Sequence, residues 1–295
     1  MKIKIIADAV SNLFNDIQEN KGLYVRIMNV HLRIDEKEYR VYDDIKDIRE
    51  FSKTYFQMLS EGKSKVQTSL VSTGEYYEAF KEEIDKGYKV ICYTMASGIS
   101  GTYQSACIAR DMINDECGSK EVEVIDSMTA GFGEGLQVIH AYELVKNGDK
   151  DFEEVIKELE DYKHYVRSDF TVDDIRFLLK TGRVLKTLGR FANFLNIKIL
   201  LKRNEHSRIA LAGTAKGKES AIKKLVSTVT ENIDKDVEQV VYITHCDDIE
   251  EAEKMKDLLE KEGISNIEIY DYDIISGAHI GPKSLAVFYV AKEAY

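Results

Sequence analysis

The stretch KVICYTMASGISGTYQSACIARDMI, residues 89–113, decides how this chain is built. Its apolar run Val90-Ile91-Cys92-Tyr93 has the length and character of a buried strand. A polar cluster, Ser97-Gly98-Ile99-Ser100-Gly101-Thr102, ends the run, and Ala106, Ile108, Ala109 and Met112 then recur at helical spacing. Strand, tight turn and helix form the unit from which parallel sheets are assembled. A helix N-terminus carries unpaired N–H groups and partial positive charge, and hydroxyl side chains add donors. The turn therefore suits a small anion, a carboxylate or a phosphate. Ser100 or Thr102 also qualifies as the cap of its own helix, which accounts for one of the three hydroxyls but not for all.

Working outward, the same grammar recurs through the first half of the chain. Ile3 to Ala7 and Val122 to Ile125 read as strands; Glu75 to Lys86, Ala130 to Lys146 and Phe152 to Tyr162 read as helices. Three strands end in polar residues: Asp8 with Ser11, the Ser97 cluster, and Asp126-Ser127. Ligands of open α/β sheets bind at the carboxyl ends of strands, so these three ends are expected to converge.

From about Val166 the pattern changes. Strands are expected at Val166–Val172, Ile197–Leu201, Ile209–Ala212, Val240–Thr244, Ile267–Tyr270 and Leu285–Val290. Helices are expected at Ile175–Leu179, Glu219–Asn232 and Ile249–Glu262. The fold class is α/β in two domains: residues 1–163 with a parallel sheet flanked by helices, and residues 164–295 with a mixed sheet.

The bulk numbers exclude several functions. With 41 basic and 52 acidic residues the net charge is −11, the opposite of the basic footprint that nucleic acid requires. The four cysteines form no CxxC pair, and Cys92 and Cys107 fall within apolar patterns, as reduced buried thiols do. The start, MKIKIIADAV, reads as a first strand and not as a signal peptide. Leu285 to Ala291 is too short to span a bilayer, so a cytoplasmic protein without stable membrane insertion is expected.

Catalytic motifs fail one by one. A P-loop needs a second glycine five residues after the first, but five after Gly98 stands Tyr103. The dinucleotide fingerprint fails as well, because Gly98 and Gly101 give only GxxG. The elbow GxSxG lacks its last glycine, since Thr102 follows Gly101. A serine hydrolase acting on acyl esters would have to use Ser97 or Ser100, with His245 or His279 as base and Asp126 to orient it. His245-Cys246-Asp247-Asp248 has metal-ligand residue types, but neighbours on a strand point to opposite faces. A strand end entering an acidic helix start is the simpler reading, and no metal or cofactor is expected.

Ser97 to Ala106 closely resembles the SSGLSGTYQSA segment of the DegV family of bacterial fatty-acid-binding proteins. Further pieces follow in the family's order. Val66-Gln67-Thr68-Ser69 stands at its TTSQPS segment, and Val124-Ile125-Asp126-Ser127 matches VIDS. Val172-Asp173-Asp174-Ile175 through Gly182-Arg183-Val184 resembles VDDLEYLRKGGRI, Leu195-Asn196-Ile197-Lys198 matches LNIKP without its proline, and His279-Ile280-Gly281-Pro282 resembles HTGPG. Departures occur at Ala7-Asp8-Ala9-Val10 in place of TDST, at Leu70-Val71 in place of Gln-Pro, at Ala96 in place of the first serine of SSG, and at Lys283 in place of glycine.

The resemblance implies a non-enzymatic carrier that holds a long-chain fatty acid between two domains and presents it to a fatty acid kinase for acyl-phosphate formation. Carried over, Thr68, Ser97, Ser100 and His279 bind the carboxylate. Ser69, Gly98, Arg183 and Asn196 support them, with Arg183 near the head group and the edge that meets the kinase. Bottom-up chemistry agrees: a fatty acid joins one anionic group to a long apolar tail, and the serine-rich turn fits the first.

Overall fold

The computed structural model describes residues 2–184, 188–189 and 196–295. The chain begins with β1 (Ile3–Asp8), a 3-10 turn (Ala9–Ser11), α1 (Asn15–Lys21), β2 (Arg26–Met28), β3 (His31–Ile34), β4 (Lys37–Arg40) and α2 (Val41–Asp44). It continues through α3 (Ile48–Glu61), β5 (Val66–Ser69), α4 (Thr73–Asp85), β6 (Lys89–Thr94), α5 (Thr102–Cys117), β7 (Val122–Asp126), α6 (Phe132–Asn147) and α7 (Phe152–Tyr162). Then follow β8 (Val166–Val172), α8 (Arg176–Thr181), β9 (Ile197–Arg203), β10 (Ile209–Lys216), α9 (Lys218–Asn232) and β11 (Val241–His245). The last elements are α10 (Ile249–Lys261), β12 (Ile267–Asp271), α11 (Ile274–Ile280) and β13 (Leu285–Val290).

These elements form two compact units, Met1–Lys46 with Gln67–His164, and Asp47–Val66 with Tyr165–Tyr295. A single boundary at residue 163 would leave Asp47–Val66 in the first; it packs in the second, where α3 contacts α11. The reason is a stripe at helical spacing, Ser52, Tyr55, Phe56 and Leu59, all buried. The Phe56 ring lies so close to Gly277 on α11 that a Cβ there would sit 2.6 Å from it.

In the first unit the sheet order is β2-β1-β6-β7, and every pair is parallel. Its inner strands β1 and β6 are largely apolar, as strands covered on both faces must be: Ile5, Ile6, Val90, Ile91, Cys92 and Tyr93 are all buried. A small second sheet, β4-β3-β5, carries the strand that bears Thr68. Helix starts are well specified. Ser72 and Glu75 form a reciprocal capping box on α4, and Asp151 and Glu154 form another on α7. Helix α6 approaches the 3-10 turn so closely that a Cβ on Gly135 would lie 2.3 Å from the Ser11 carbonyl oxygen.

The second unit is built on a six-stranded sheet, β10-β9-β8-β13-β11-β12, antiparallel throughout except for the β11–β12 pair. Leu225, Val229, Met255 and Leu259 from α9 and α10 join Ile243, Val287 and Tyr289 of the sheet in one apolar core. The expected α/β class, with a parallel N-terminal sheet and a mixed C-terminal one, is what the chain adopts.

Candidate functional site

In the first unit three polar strand ends converge, and backbone pairing is the cause. The parallel register sets Thr94 opposite Asp126. The loop after β7 is then stitched to the loop after β6: Ala96 N donates to the Thr129 carbonyl at 2.7 Å, and Ser127 N to that of Thr94 at 3.0 Å. Gln137, buried on α6, donates to the Ser127 carbonyl at 2.8 Å and fixes the far side.

Asp8, at the end of β1, is wholly buried. Its carboxyl accepts from Val10 N at 3.0 Å and from Met95 N at 2.9 Å, which ties the first strand to the entrance of the serine-rich turn. Burial pushes this carboxyl up to about 6 against the pull of those N–H groups. Glu134, also fully buried, accepts from Asp8 N at 3.3 Å. The sequence reading had no role for Glu134, although one acid in the apolar run 132–138 was a usable signal.

The turn itself is arranged as follows. Ser97 is exposed, while Gly98 and Ser100 are half-buried. Asp126 accepts from Ser97 N at 3.1 Å, from the Ser97 hydroxyl at 2.5 Å and from Met128 N at 2.8 Å. The Ser100 and Thr102 hydroxyls lie 2.9 Å apart, and Ser100 Oγ accepts from Thr102 N at 3.2 Å. The residue at the N-cap position of α5 is Gly101, which has no side chain to cap with. Ser100 thus satisfies one early helix donor from just outside the cap, and the expectation of a hydroxyl at the cap itself is corrected to that extent. The Ser100 and Thr102 hydroxyls are thus paired with each other across Gly101, with Ser97 as the exposed hydroxyl nearby.

The segment bearing Thr68 reaches this turn. Thr68 is half-buried, Ser69 and Leu70 are exposed, and a Cβ on Gly101 would lie 3.2 Å from Leu70 Cδ2. Among the expected carboxylate ligands, Thr68, Ser97 and Ser100 therefore belong to one region of one unit.

His279 and Arg183 form a second constellation, in the second unit. Gly281, at the end of α11, would with a Cβ meet the Phe177 ring of α8 at 2.5 Å, and its φ of 84° already excludes most side chains. Helix α8 ends at Gly182 in the left-handed conformation, and Arg183 follows at once. Burial lowers His279 to about 3, with the Arg183 charge adding to the effect, so the imidazole is neutral. Burial also lowers Arg183, whose Nε has no hydrogen-bond partner among the described residues and whose Nη1 reaches the Thr181 carbonyl only at 3.5 Å. A half-buried guanidinium with an unused donor is suited to an anion. Asn196 is exposed, and its carbonyl accepts from Gly217 N at 2.8 Å, a backbone tie at the start of α9. Leu195 lies outside the described residues.

The residues considered for other chemistry have structural roles. His245 is buried at the end of β11, accepts from Asp248 N at 3.3 Å and is lowered to about 4 by burial. Cys246 is wholly buried. Among the described residues no group of three or more His, Cys, Asp or Glu could hold a metal ion, and no helix is long and apolar enough to cross a membrane.

These shifts have opposite consequences for stability. His245 and His279 fall below the ordinary 6.5, so the unfolded chain takes up protons first and stability drops as pH falls from about 6.5 toward 4. Asp8 rises from 3.8 to about 6, so the folded chain takes up its proton first and regains stability as pH falls through that window. Asp8→Asn is therefore expected to lose stability more steeply than the parent between pH 6 and 4, read from urea midpoints. Parallel slopes would remove Asp8 as the opposing group.

A family model described as "Uncharacterised protein, DegV family" matches residues 2–292. The chain belongs to the DegV family. A DegV domain-containing protein of Clostridium acetobutylicum is 32% identical over 292 residues, covering 99% of each chain. Among solved structures, DegV of Bacillus subtilis, a fatty acid binding protein, matches with a TM-score of 0.82 at 26% identity, covering 99% of this chain and 100% of that one. A DegV family protein of Eubacterium eligens, loaded with heptadecanoic acid, has the same fold, with a TM-score of 0.83 at 20% identity over 98% of this chain and 100% of its own. DegV structures thus carry fatty acids, on the fold described above.

Proposed function

We propose that this DegV protein is a non-enzymatic carrier of a long-chain fatty acid in the cytoplasm, which presents the acid's head group to a fatty acid kinase for acyl-phosphate formation. The observation that carries the reading is the hydroxyl-rich start of α5, with Leu70, two residues after Thr68, packed beside it, in a chain whose B. subtilis relative binds fatty acid. Thr68, Ser97 and Ser100 hold the head group, with Ser69 and Gly98 supporting them. His279 and Arg183 are carried over as residues that assist, His279 as a neutral hydrogen-bonding group and Arg183 as a cation. Asn196 keeps a supporting place through its backbone tie.

The direct test is mass spectrometry of whatever copurifies with the folded protein. A long-chain fatty acid in stoichiometric amount supports the carrier; a different lipid class, or none after reloading, ends it. Pure protein is expected neither to hydrolyse ATP nor to react with a fluorophosphonate. Labelling of Ser97 or Ser100 would favour a serine hydrolase acting on acyl esters.

Arg183 supplies a sharper test. Its Nε has no hydrogen-bond partner among the described residues and its charge helps to keep His279 neutral, so that charge is available to a partner or to a phosphoryl group. Arg183→Ala is expected to retain bound lipid while productive transfer with the kinase is lost. Undiminished phosphorylation after that substitution would remove Arg183 from the mechanism.

A further inference from the structure

Ser97 has one proton, and the geometry commits it. Its hydroxyl lies 2.5 Å from Asp126 Oδ2, while Asp126 Oδ1 accepts from Ser97 N and Met128 N. A carboxylate offers only acceptors, so the hydroxyl proton points at Asp126 and the remaining lone pairs of Ser97 Oγ face outward. Ser97 is exposed, so those lone pairs are available to a ligand. An ionised fatty acid also offers only acceptors, and two acceptors facing each other repel.

We propose that Asp126 is a positioning residue that sets Ser97 as a hydrogen-bond acceptor, so that the site takes the fatty acid as the neutral carboxylic acid. This rests on the reading that Ser97 touches the head group. The acid's O–H donates to Ser97 Oγ, and its carbonyl oxygen is left for donors such as Thr68 or an N–H group in the first turn of α5. No bond is made or broken beyond the proton that the ligand takes from solvent on binding. The Asp126 carboxylate, anchored by two backbone N–H groups, makes the arrangement rigid.

Other titratable groups around Asp126 do not mimic the effect. Tyr103 on α5 senses the Asp126 charge and is pushed up by burial, as is Cys107 with which it pairs; Arg110, one turn on, stays a cation. Asp8, which holds the same loop through Met95 N, is raised only to about 6. At about pH 8 a free fatty acid is ionised and Asp8 has already lost its proton, so proton uptake there belongs to the ligand.

Isothermal calorimetry of dodecanoic acid binding, in buffers of different ionisation enthalpy, reads that uptake. The full-length protein is expected to take up about one proton per ligand at about pH 8, and its affinity to fall about tenfold per pH unit above the ligand's own pKa. In Asp126→Asn the amide keeps one acceptor for the two backbone N–H groups, and its NH₂ donates to Ser97 Oγ, which frees the Ser97 proton to point outward. That variant is expected to bind with no proton uptake, a flat pH profile, and tighter binding than the parent at about pH 8. A purely structural Asp126 would give weaker binding at every pH with the uptake unchanged, and that result overturns the proposal. Binding by the parent without proton uptake also overturns it. If Ser97→Ala alters neither affinity nor uptake, the head group is not at Ser97 and the underlying reading fails first.

Discussion

Shortening the acyl tail is expected to weaken binding more than any head-group substitution. Burial of apolar chain contributes about 0.8 kcal/mol per methylene, so a tail of about 14 methylenes supplies roughly 11 kcal/mol before costs. Ordering and association remove a large part of that. One hydrogen bond contributes about 0.5–1.5 kcal/mol to a neutral head group and only about 1.5–3 kcal/mol even to a charged one. A tail shorter by about four methylenes should therefore lose roughly 3 kcal/mol, a factor of more than a hundred in affinity. Thr68→Ala, which removes a hydrogen bond to the neutral acid, should lose about 0.5–1.5 kcal/mol, with the ligand still bound. Affinities measured across a series of saturated acids at one pH would show this. A profile flat in chain length would mean that the tail is not buried, and the fatty-acid reading would fall with it.

The second large effect is structural and concerns Gly135. This glycine lets α6 pass over the turn that follows β1, and an added Cβ would sit 2.3 Å from the Ser11 carbonyl oxygen. A flexible side chain could move aside, but this obstacle is backbone. It is also braced, because the adjoining Asp8 carboxyl holds Val10 N and Met95 N. Gly135→Ala gains about 1 kcal/mol of helix propensity and meets an overpacking cost of about 3 kcal/mol or more. A net loss of stability is expected, with a weaker hold on ligand, since the displaced turn is tied to the loop bearing Ser97. Unfolding in urea checks the first and calorimetry the second. A variant as stable as the parent would show that the turn yields, and that α6 does not fix the site from below.

Local pattern made much of this architecture legible. The run Val90–Tyr93 followed by Ala106, Ile108 and Ala109 required a strand and a helix, because periods near two and near 3.6 are imposed by backbone geometry alone. The capping boxes Ser72–Glu75 and Asp151–Glu154 mark helix starts for an equally local reason. The DegV motifs, read in order, gave the family. Within residues 12–65, β2, β3 and β4 are only three or four residues long, too short to establish a period, whereas α3 carries a usable stripe that the sequence reading left unassigned. Helix α11, IISGAHI, was also unread: seven residues are too few to establish a period.

What the chain alone determined, then, was its strand–helix alternation, its acidic and motif-poor chemistry, and the hydroxyl-rich turn with the residue types needed for a head group. The tertiary structure decided which partner each of those hydroxyls has. Ser97 and Asp126 are 29 residues apart, and they meet only because parallel pairing sets Thr94 opposite Asp126. Likewise, α3 carries its apolar stripe in the sequence, yet only packing against α11 assigns it to the second unit. Periodicity is a property of neighbours along the chain, whereas hydrogen-bond direction and burial depend on residues that folding brings together, and those distances are not written in any local stretch.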